Sequence, residues 1–153
     1  MKVDFIILGA AKCGTTTLYR ILKDHPDINF CREKEPDFFS KTEDWKTHLA
    51  DYHKLFREEE GKIYGEASHS YTAYPRFNLN IWEDIHAYNP GMKFIYIVRD
   101  PVDRFISSYM QDYQRGGSAF PSVRRSIRDG RLCAPGITPR SSPLSIPSGG
   151  KRS

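Results

Sequence analysis

The sequence predicts an α/β fold in which helices cover both faces of a parallel sheet. One observation is that short apolar runs, rich in β-branched and aromatic residues, have the composition of buried parallel strands; they lie at 3–8, 63–67 and 93–98. The other is that segments with helical spacing alternate with these runs; they lie at 15–24, 43–57, 76–88 and 101–115. Strands that alternate with helices favour parallel pairing through crossover helices.

Each element has its own local signal. The threonines that follow Gly14 suit the start of the helix at 15–24. Residues 26–40 show no periodicity, so we expect an irregular connection there. The helix at 43–57 is predicted from apolar residues at helical spacing, namely Trp45, Leu49, Tyr52, Leu55 and Phe56. The chain shows no internal repeats.

Length and composition limit the functions that the chain can have. A chain of 153 residues with 13% aromatic residues can form one domain with a real hydrophobic core. The net charge of +4 is concentrated, because residues 119–153 hold seven of the 23 basic residues and one of the 19 acidic ones. The folded part is therefore slightly acidic, and its composition gives no support for a nucleic-acid or membrane partner.

The cysteines and the N-terminus predict the compartment. Cys13, Cys31 and Cys133 are an odd number without metal-ligand spacing, which favours a reducing environment and no structural metal. No apolar stretch has the length of a membrane-spanning helix, and the first residues do not resemble a signal peptide. We therefore expect a cytoplasmic protein.

The turn after the first strand has the features of a phosphate-binding loop. It runs Gly9-Ala10-Ala11-Lys12-Cys13-Gly14-Thr15-Thr16-Thr17. Backbone N–H groups and the helix dipole would meet an anion there, and Lys12 adds a positive charge. In a Walker A loop the lysine follows the second glycine, but here Thr15 has that position. The loop is therefore P-loop-like, yet an ATPase or kinase is disfavoured; a plain turn with a solvated lysine is the alternative.

A second strand–turn–helix segment offers a second anion site. Arg99 follows the strand at 93–98, and Ser107 lies on the helix after it. Asp100 can cap that helix, and Pro101 suits its first turn. A guanidinium binds phosphate through two hydrogen bonds, and a hydroxyl supplies another donor. The alternative is a surface ion pair between Arg99 and Asp100, with Ser107 facing solvent.

The two segments together resemble sulfotransferases that use 3′-phosphoadenosine 5′-phosphosulfate (PAPS), particularly the heparan-type and bacterial ones. The resemblance covers residues 3–117, the N-terminal part of that family. It implies PAPS as co-substrate, without a metal. It also implies that the 5′-phosphosulfate is bound by Lys12, Cys13, Gly14, Thr15, Thr16 and Thr17. The 3′-phosphate is expected on Arg99 and Ser107.

A third segment, Lys34-Glu35-Pro36-x-Phe38-Phe39, resembles the K-E-x-x-F-F element of the heparan-type and bacterial enzymes. Their glutamate is the catalytic base, which implies that role for Glu35, while Lys34 and Lys12 would steer and stabilise the transferred group. A carboxylate pinned beside two buried aromatic residues is expected to have a raised pKa. Without the resemblance, a solvated charge run beside two core aromatics would be the simpler interpretation.

Two histidines compete for the role of base. His48 stands in Lys46-Thr47-His48-Leu49, similar to the K-T-H-L element of cytosolic sulfotransferases, but it is expected inside a helix rather than at a strand end. His69 follows a strand in Gly65-Glu66-Ala67-Ser68-His69, where heparan-type relatives usually have G-E-K-[ST]-P. Ala67 and His69 thus depart from that pattern, and His69 is either a substrate contact or an ordinary loop residue.

The predicted function is sulfuryl transfer from PAPS to a hydroxyl or amine, with a carbohydrate or small metabolite as acceptor. The alternative is a truncated, inactive fragment that binds PAP(S) or partner proteins; a P-loop kinase is a more distant one.

We expect residues 1–117 to form the sulfotransferase-like domain, apparently truncated at its C-terminus. Residues 118–153 are expected to be a disordered tail, since 22 of the 35 residues from 119 on are Pro, Ser, Gly or Arg. Such a tail is either a basic interaction segment or the product of truncation, splicing or a frameshift, and we favour the second.

Overall fold

The computed structural model describes residues 1–73 and 77–114. Its centre is a four-stranded, wholly parallel sheet in the order β2-β3-β1-β4. The strands are β1 (Phe5–Gly9), β2 (Ile28–Phe30), β3 (Ile63–Ala67) and β4 (Lys93–Tyr96). The predicted α/β class with a parallel sheet is therefore confirmed. The predicted tail at 118–153 lies outside the described residues.

Helices connect the strands. They are α1 (Thr15–Lys23), α2 (Phe38–Lys41), α3 (Leu49–His53), α4 (Ile81–Tyr88) and α5 (Pro101–Gln114), with a 3₁₀ turn at His69–Thr72 between β3 and α4. None of the helices within the described ranges has the length and apolar character needed to cross a membrane.

Two expectations about the first half of the chain are wrong. Residues 26–40 are not irregular throughout, because they contain β2 and the start of α2. β2 is only three residues long, and its pairing with β3 rather than a local pattern stabilises it. The long helix at 43–57 is reduced to α3. Asp44 has φ 48°, and turn hydrogen bonds from Thr47 N–H to Asp44 O and from His48 N–H to Trp45 O precede the helix.

The core is rich in aromatic residues. Phe39 is completely buried and contacts the rings of several other residues; these are Phe38, Trp45, Tyr52, Tyr71 and Tyr88. Phe38 stacks on Tyr52 with ring centroids 4.2 Å apart. The two phenylalanines of the Lys34–Phe39 segment thus anchor that segment in the core, as the sequence predicts.

The outer side of β4 and α5 is much more exposed than expected. The sequence predicts a buried strand at 93–98, yet the exposed fractions of Phe94, Tyr96 and Val98 are 47%, 53% and 75%. β4 is an edge strand, and within residues 1–73 and 77–114 no element pairs with its outer side. Val102 and Ile106 on α5 are also exposed, which extends this apolar surface along the helix.

Glu66 is an acid in the apolar interior beneath the sheet's carboxyl end. It is fully buried, and its Oε2 accepts a hydrogen bond from the Ser68 hydroxyl at 3.5 Å. Its Oε1 has no hydrogen-bond partner in the part of the chain that the structure describes. Burial raises the pKa of Glu66 to about 8, which the hydroxyls of Tyr71 and Tyr52 oppose only in part. Glu66 is therefore mostly protonated at neutral pH.

We expect Glu66 to make the folded protein less stable as the pH rises. The unfolded chain releases this proton near pH 4.5, whereas the folded chain retains it until about pH 8. Between those values the free energy of unfolding should fall by up to about 1.4 kcal/mol per pH unit for this proton. Glu66→Gln should remove that slope in urea unfolding measured across the range. The exposed Glu83→Gln is the control, and a Glu66→Gln variant with the wild-type slope would contradict the assignment.

Gly65 makes room for an aromatic contact between strands. Gly65 on β3 is the register partner of Phe5 on β1 and of Phe30 on β2. A Cβ atom on Gly65 would overlap the ring of Phe5, which packs edge-on against Phe30 at 5.7 Å. The absence of a side chain on Gly65 therefore allows the strands on either side of β3 to share one aromatic contact.

Gly65→Ala should destabilise the fold by about 1–3 kcal/mol, because the added methyl must displace the Phe5 ring in a packed core. Gly91→Ala is the matched control, since its Cβ would meet only Asn89 Oδ1 at 3.4 Å. Urea unfolding of the two variants measures the difference. Equal stability of the two variants would show that the Phe5 ring moves without cost.

Candidate functional site

The candidate site lies where the carboxyl ends of three strands meet. β1 pairs with β3 on one side and β4 on the other, so the loops after these strands converge. These loops and the segment between β2 and α2 surround a cavity of about 560 Å³. Eight of the predicted site residues line it: Lys12, Gly14, Thr15, Thr16, Lys34, Glu35, Arg99 and Ser107. The fold therefore brings three sequence segments into one cavity.

The loop after β1 has the geometry of an anion cradle. Gly14 has φ 95° and is the N-cap of α1, while Lys12 has φ 66°, a left-handed conformation that is uncommon for a residue with a side chain. The first N–H groups of a helix have no acceptor within it. Those of α1 begin at Thr15, beside the cavity. Together with the Lys12 ammonium they can bind a phosphate or a sulfate group.

The two remaining predicted loop residues do not line the cavity. Cys13 is buried, its N–H donates to Ala10 O at 3.1 Å, and its thiol lies 3.7 Å from Ala11 O. Thr17 is exposed on α1, and its N–H donates to Gly14 O at 3.0 Å. These local hydrogen bonds commit both N–H groups to the turn itself.

The loop is fastened to β4 and α5. The Ala10 N–H donates to Ile97 O, and the Ile97 N–H donates to Gly9 O, each at 2.7 Å. Arg104 Nε donates to Ala11 O at 3.0 Å. Nothing in the sequence singles out Arg104, because its contact is with a backbone oxygen far away along the chain. It holds the phosphate loop in register with the helix that carries Ser107.

The start of α5 carries the second set of residues that the sequence predicts to bind an anion. Asp100 Oδ1 accepts from the N–H groups of Val102 and Asp103 at 2.9 and 3.1 Å, which confirms the predicted cap. Arg99 lies 3.7 Å from the Asp103 carboxylate and is half-exposed, so its ion pair is weak and open to competition. Arg99 and Ser107 both line the cavity, with Gln111 farther along the helix, a residue that the sequence did not indicate.

Glu35 lies at the cavity between two basic groups. Its backbone has φ 63°, and its N–H donates to Ala67 O at 3.0 Å, which ties the residue to the end of β3. Glu35 Oε1 is 3.2 Å from His69 Nδ1 and also contacts the Lys34 ammonium. The hydrogen bond from His69 and the contact with Lys34 outweigh partial burial and lower the pKa of Glu35 to about 2. The expectation of a raised pKa is therefore wrong, because it rested on the buried aromatic residues and not on these two neighbours.

Buried hydrogen bonds of Asp37 hold the segment that carries Glu35 in place. Asp37 is 6% exposed, and its N–H donates to the Ser68 hydroxyl at 3.0 Å. Its carboxylate accepts from the Ser70 hydroxyl at 2.5 Å and from Lys41 Nζ at 2.6 Å. These bonds join the loop that carries Glu35 to the turn that carries His69.

The two histidines have different positions. His69 lines the cavity, whereas His48 is exposed and immediately precedes α3. The expectation that His48 lies inside a helix is wrong, because α3 begins only at Leu49. The sequence identified His69 only by its departure from the usual motif, and its neighbour Glu35 lies well away along the chain. In the described part of the chain, no cluster of His, Cys, Asp and Glu could hold a metal ion.

Comparison with known proteins gives a consistent result. Residues 2–129 match the family described as "Sulfotransferase domain". Heparan sulfate glucosamine 3-O-sulfotransferase 6 of Homo sapiens is 37% identical over 120 residues, which are 78% of this chain and 33% of that protein. The membrane-associated sulfotransferase kil1 of Dictyostelium discoideum is 32% identical over 69% of this chain and 22% of its own. This chain thus spans about a third or less of the length of these relatives.

A solved structure has the same fold. The sulfotransferase from Alicyclobacillus acidocaldarius matches with a TM-score of 0.68 and 33% sequence identity, covering 86% of this chain and 59% of that one. The parallel sheet and the phosphate loop described above are thus accompanied by similarity in both sequence and structure. The chain belongs to the sulfotransferase domain family.

Proposed function

We propose that this chain transfers a sulfuryl group from PAPS to an acceptor. The observation that carries the proposal is that one cavity is lined by the phosphate loop, by Arg99 and Ser107, and by Glu35 with its two basic neighbours. The reaction needs two anion sites for the donor and a group that takes the acceptor's proton, and the cavity offers each of them.

The donor is proposed to occupy the two anion sites. Lys12 and the N–H groups at the start of α1 would bind the 5′-phosphosulfate, with Thr15 and Thr16 as further donors. Arg99 and Ser107 would bind the 3′-phosphate, whose charge would replace Asp103 as the partner of Arg99. These groups supply the positive charge that a metal provides in many phosphoryl-transfer sites, so the proposal includes no metal.

The acceptor is proposed to be a carbohydrate hydroxyl or amine. Relatives that match this chain are named for heparan sulfate glucosamine and for carbohydrate sulfation, which supports a sugar over a small metabolite. The Glu35–His69 pair would handle the acceptor's proton, and Lys34 would help to stabilise the sulfuryl oxygens. A cytoplasmic location stays a prediction.

Binding of PAP, the product nucleotide, tests the donor site. We expect isothermal titration to give a dissociation constant in the micromolar range, and Lys12→Ala or Arg99→Ala to weaken binding about 10- to 100-fold. The control is Lys2→Ala, an exposed lysine next to the opposite end of β1. Equal losses in the control, or none in the two site variants, would contradict the assignment of the anion sites.

Transfer itself is then measured with radiolabelled PAPS and a panel of heparan and chondroitin acceptors. The wild-type chain should move label to a carbohydrate, and Lys12→Ala should not. If the chain binds PAP but transfers label to none of the acceptors, the chain is a nucleotide-binding fragment without transferase activity.

The ionisation of Glu35 gives a second prediction. Because its folded pKa is about 2, the carboxylate should stay ionised through most of the acid range. Its contribution to stability is present above about pH 4.5 and is lost as the pH falls toward 2. In ¹³C NMR titration of the Glu35 carboxyl carbon, His69→Ala should move the midpoint upward toward the ordinary value. An unchanged midpoint would show that the hydrogen bond from His69 does not lower the pKa of Glu35.

A further inference from the structure

Glu66 is buried beside residues 37–39, which follow Glu35 in the chain. Three residues with hydroxyl groups face its carboxyl group: Ser68, Tyr71 and Tyr52. Each of these residues is at most 1% exposed, as is Glu66 itself. Because the site excludes water, a change in the charge of Glu66 acts on these hydroxyl groups at close range.

Two of the hydroxyl groups link Glu66 to backbone N–H groups. The Ser68 hydroxyl donates to Glu66 Oε2 at 3.5 Å and accepts from the Asp37 N–H at 3.0 Å. The Tyr71 hydroxyl accepts from the Phe39 N–H at 3.4 Å. Hydrogen bonds in such a chain polarise one another, so the protonation state of Glu66 affects both backbone contacts.

The third residue, Tyr52, makes a ring contact with the same segment. Its ring stacks on Phe38, with the ring centroids 4.2 Å apart. The Glu35 N–H donates to Ala67 O at 3.0 Å, next to Glu66 along β3. The segment is therefore joined to the neighbour of Glu66 in the strand as well as to the residues around its carboxyl group.

No basic group in the described part of the chain faces Glu66. The ionisable groups around it come from each element packed against it: Cys31 after β2, Asp37 before α2, Tyr52 on α3, Tyr71 on the 3₁₀ turn and Tyr88 on α4. Burial raises the pKa of Glu66 to about 8. Above that value the negative charge of Glu66 adds to that of Asp37 nearby, and like charges repel.

Within the sulfuryl transfer proposed above, on which this role rests, we infer that Glu66 is a positioning residue for Glu35. The neutral carboxyl group keeps residues 35–39 in place beside the cavity, and its ionisation loosens them. The ionised carboxylate attracts the hydroxyl groups around it and repels Asp37. The donor sites belong to the loop after β1 and to the segment that begins at Arg99, so they keep their geometry.

Carbon-detected NMR of the wild-type chain tests this coupling without a transfer assay. The side-chain carboxyl carbon of Glu66 should titrate with a midpoint near pH 8, and the backbone carbonyl carbons of Glu35 and Asp37 should follow with the same midpoint. The backbone carbon of Glu83, an exposed residue of α4, is the control and should not follow. In Ser68→Ala the response at Glu35 should be smaller. A Glu35 carbon that does not respond, or a Glu66 midpoint near the ordinary 4.5, overturns the role.

The pH profile of transfer separates positioning from donor binding. In the wild type the rate should fall about tenfold per pH unit above about pH 8, while PAP affinity stays within about threefold. Glu66→Gln, whose amide resembles the neutral acid, should keep its own rate within about twofold from pH 7 to pH 9.5. The control Glu83→Gln should show the wild-type fall. A Glu66→Gln variant with the wild-type fall overturns the role.

Circular dichroism over the same pH range distinguishes a local change from loss of the fold. Above about pH 8 the folded and the unfolded chain have both released the Glu66 proton, so this group no longer changes the free energy of unfolding. The wild-type signal should therefore persist while the rate falls, and a signal lost in step with the rate overturns the role.

Failure of the proposed function has a different signature. Wild-type chain that binds PAP but transfers no label at any pH overturns the sulfuryl transfer, and the role of Glu66 in that reaction falls with it. The NMR titration of the same chain then still shows whether the charge of Glu66 controls residues 35–39.

Discussion

The parallel pairing of β1 with a strand on each side is the constraint on which the rest of the structure depends. All five residues of β1 are buried, and its neighbours β3 and β4 run in the same direction. Parallel strands must end at the same edge, so segments far apart in sequence end beside one another there. The phosphate loop, the His69 turn and Arg99 are neighbours for this reason alone.

The ionisable residues at this edge form two groups, an upper layer that lines the cavity and a lower layer that is buried beneath it. The upper layer is open to the cavity and holds Lys12, Lys34, Glu35 and His69, where opposite charges keep the carboxylate ionised. The lower layer is buried and contains Asp37 and Glu66 among hydroxyl groups, where burial keeps Glu66 mostly protonated. Glu35 and Glu66 thus have opposite protonation states, because Glu35 has two basic partners and Glu66 has none among the described residues.

The same edge explains the strained backbone of the site. Lys12, Glu35 and Asp37 all adopt positive φ values, which cost free energy for residues with side chains. Two of them are held by hydrogen bonds: the Glu35 N–H donates to Ala67 O, and the Asp37 N–H donates to the Ser68 hydroxyl. The exposed apolar residues of β4 and α5 lie instead along the lateral edge of the sheet, where β4 is the outermost strand.

The sequence by itself determined the parallel α/β class and the anchoring of Phe38 and Phe39, because apolar runs and their spacing are local properties. It also predicted the phosphate-binding role of the loop after β1 from the placement of its glycines. It did not reveal β2, whose three residues depend on pairing with β3, or the break at Asp44. Only the tertiary structure placed His69 against Glu35 and Arg104 against Ala11, since these contacts join residues far apart in the chain. The pKa of Glu35 is another example. Its aromatic neighbours in the sequence suggested a raised pKa, but the His69 imidazole that lowers the pKa contacts Glu35 only in the folded chain.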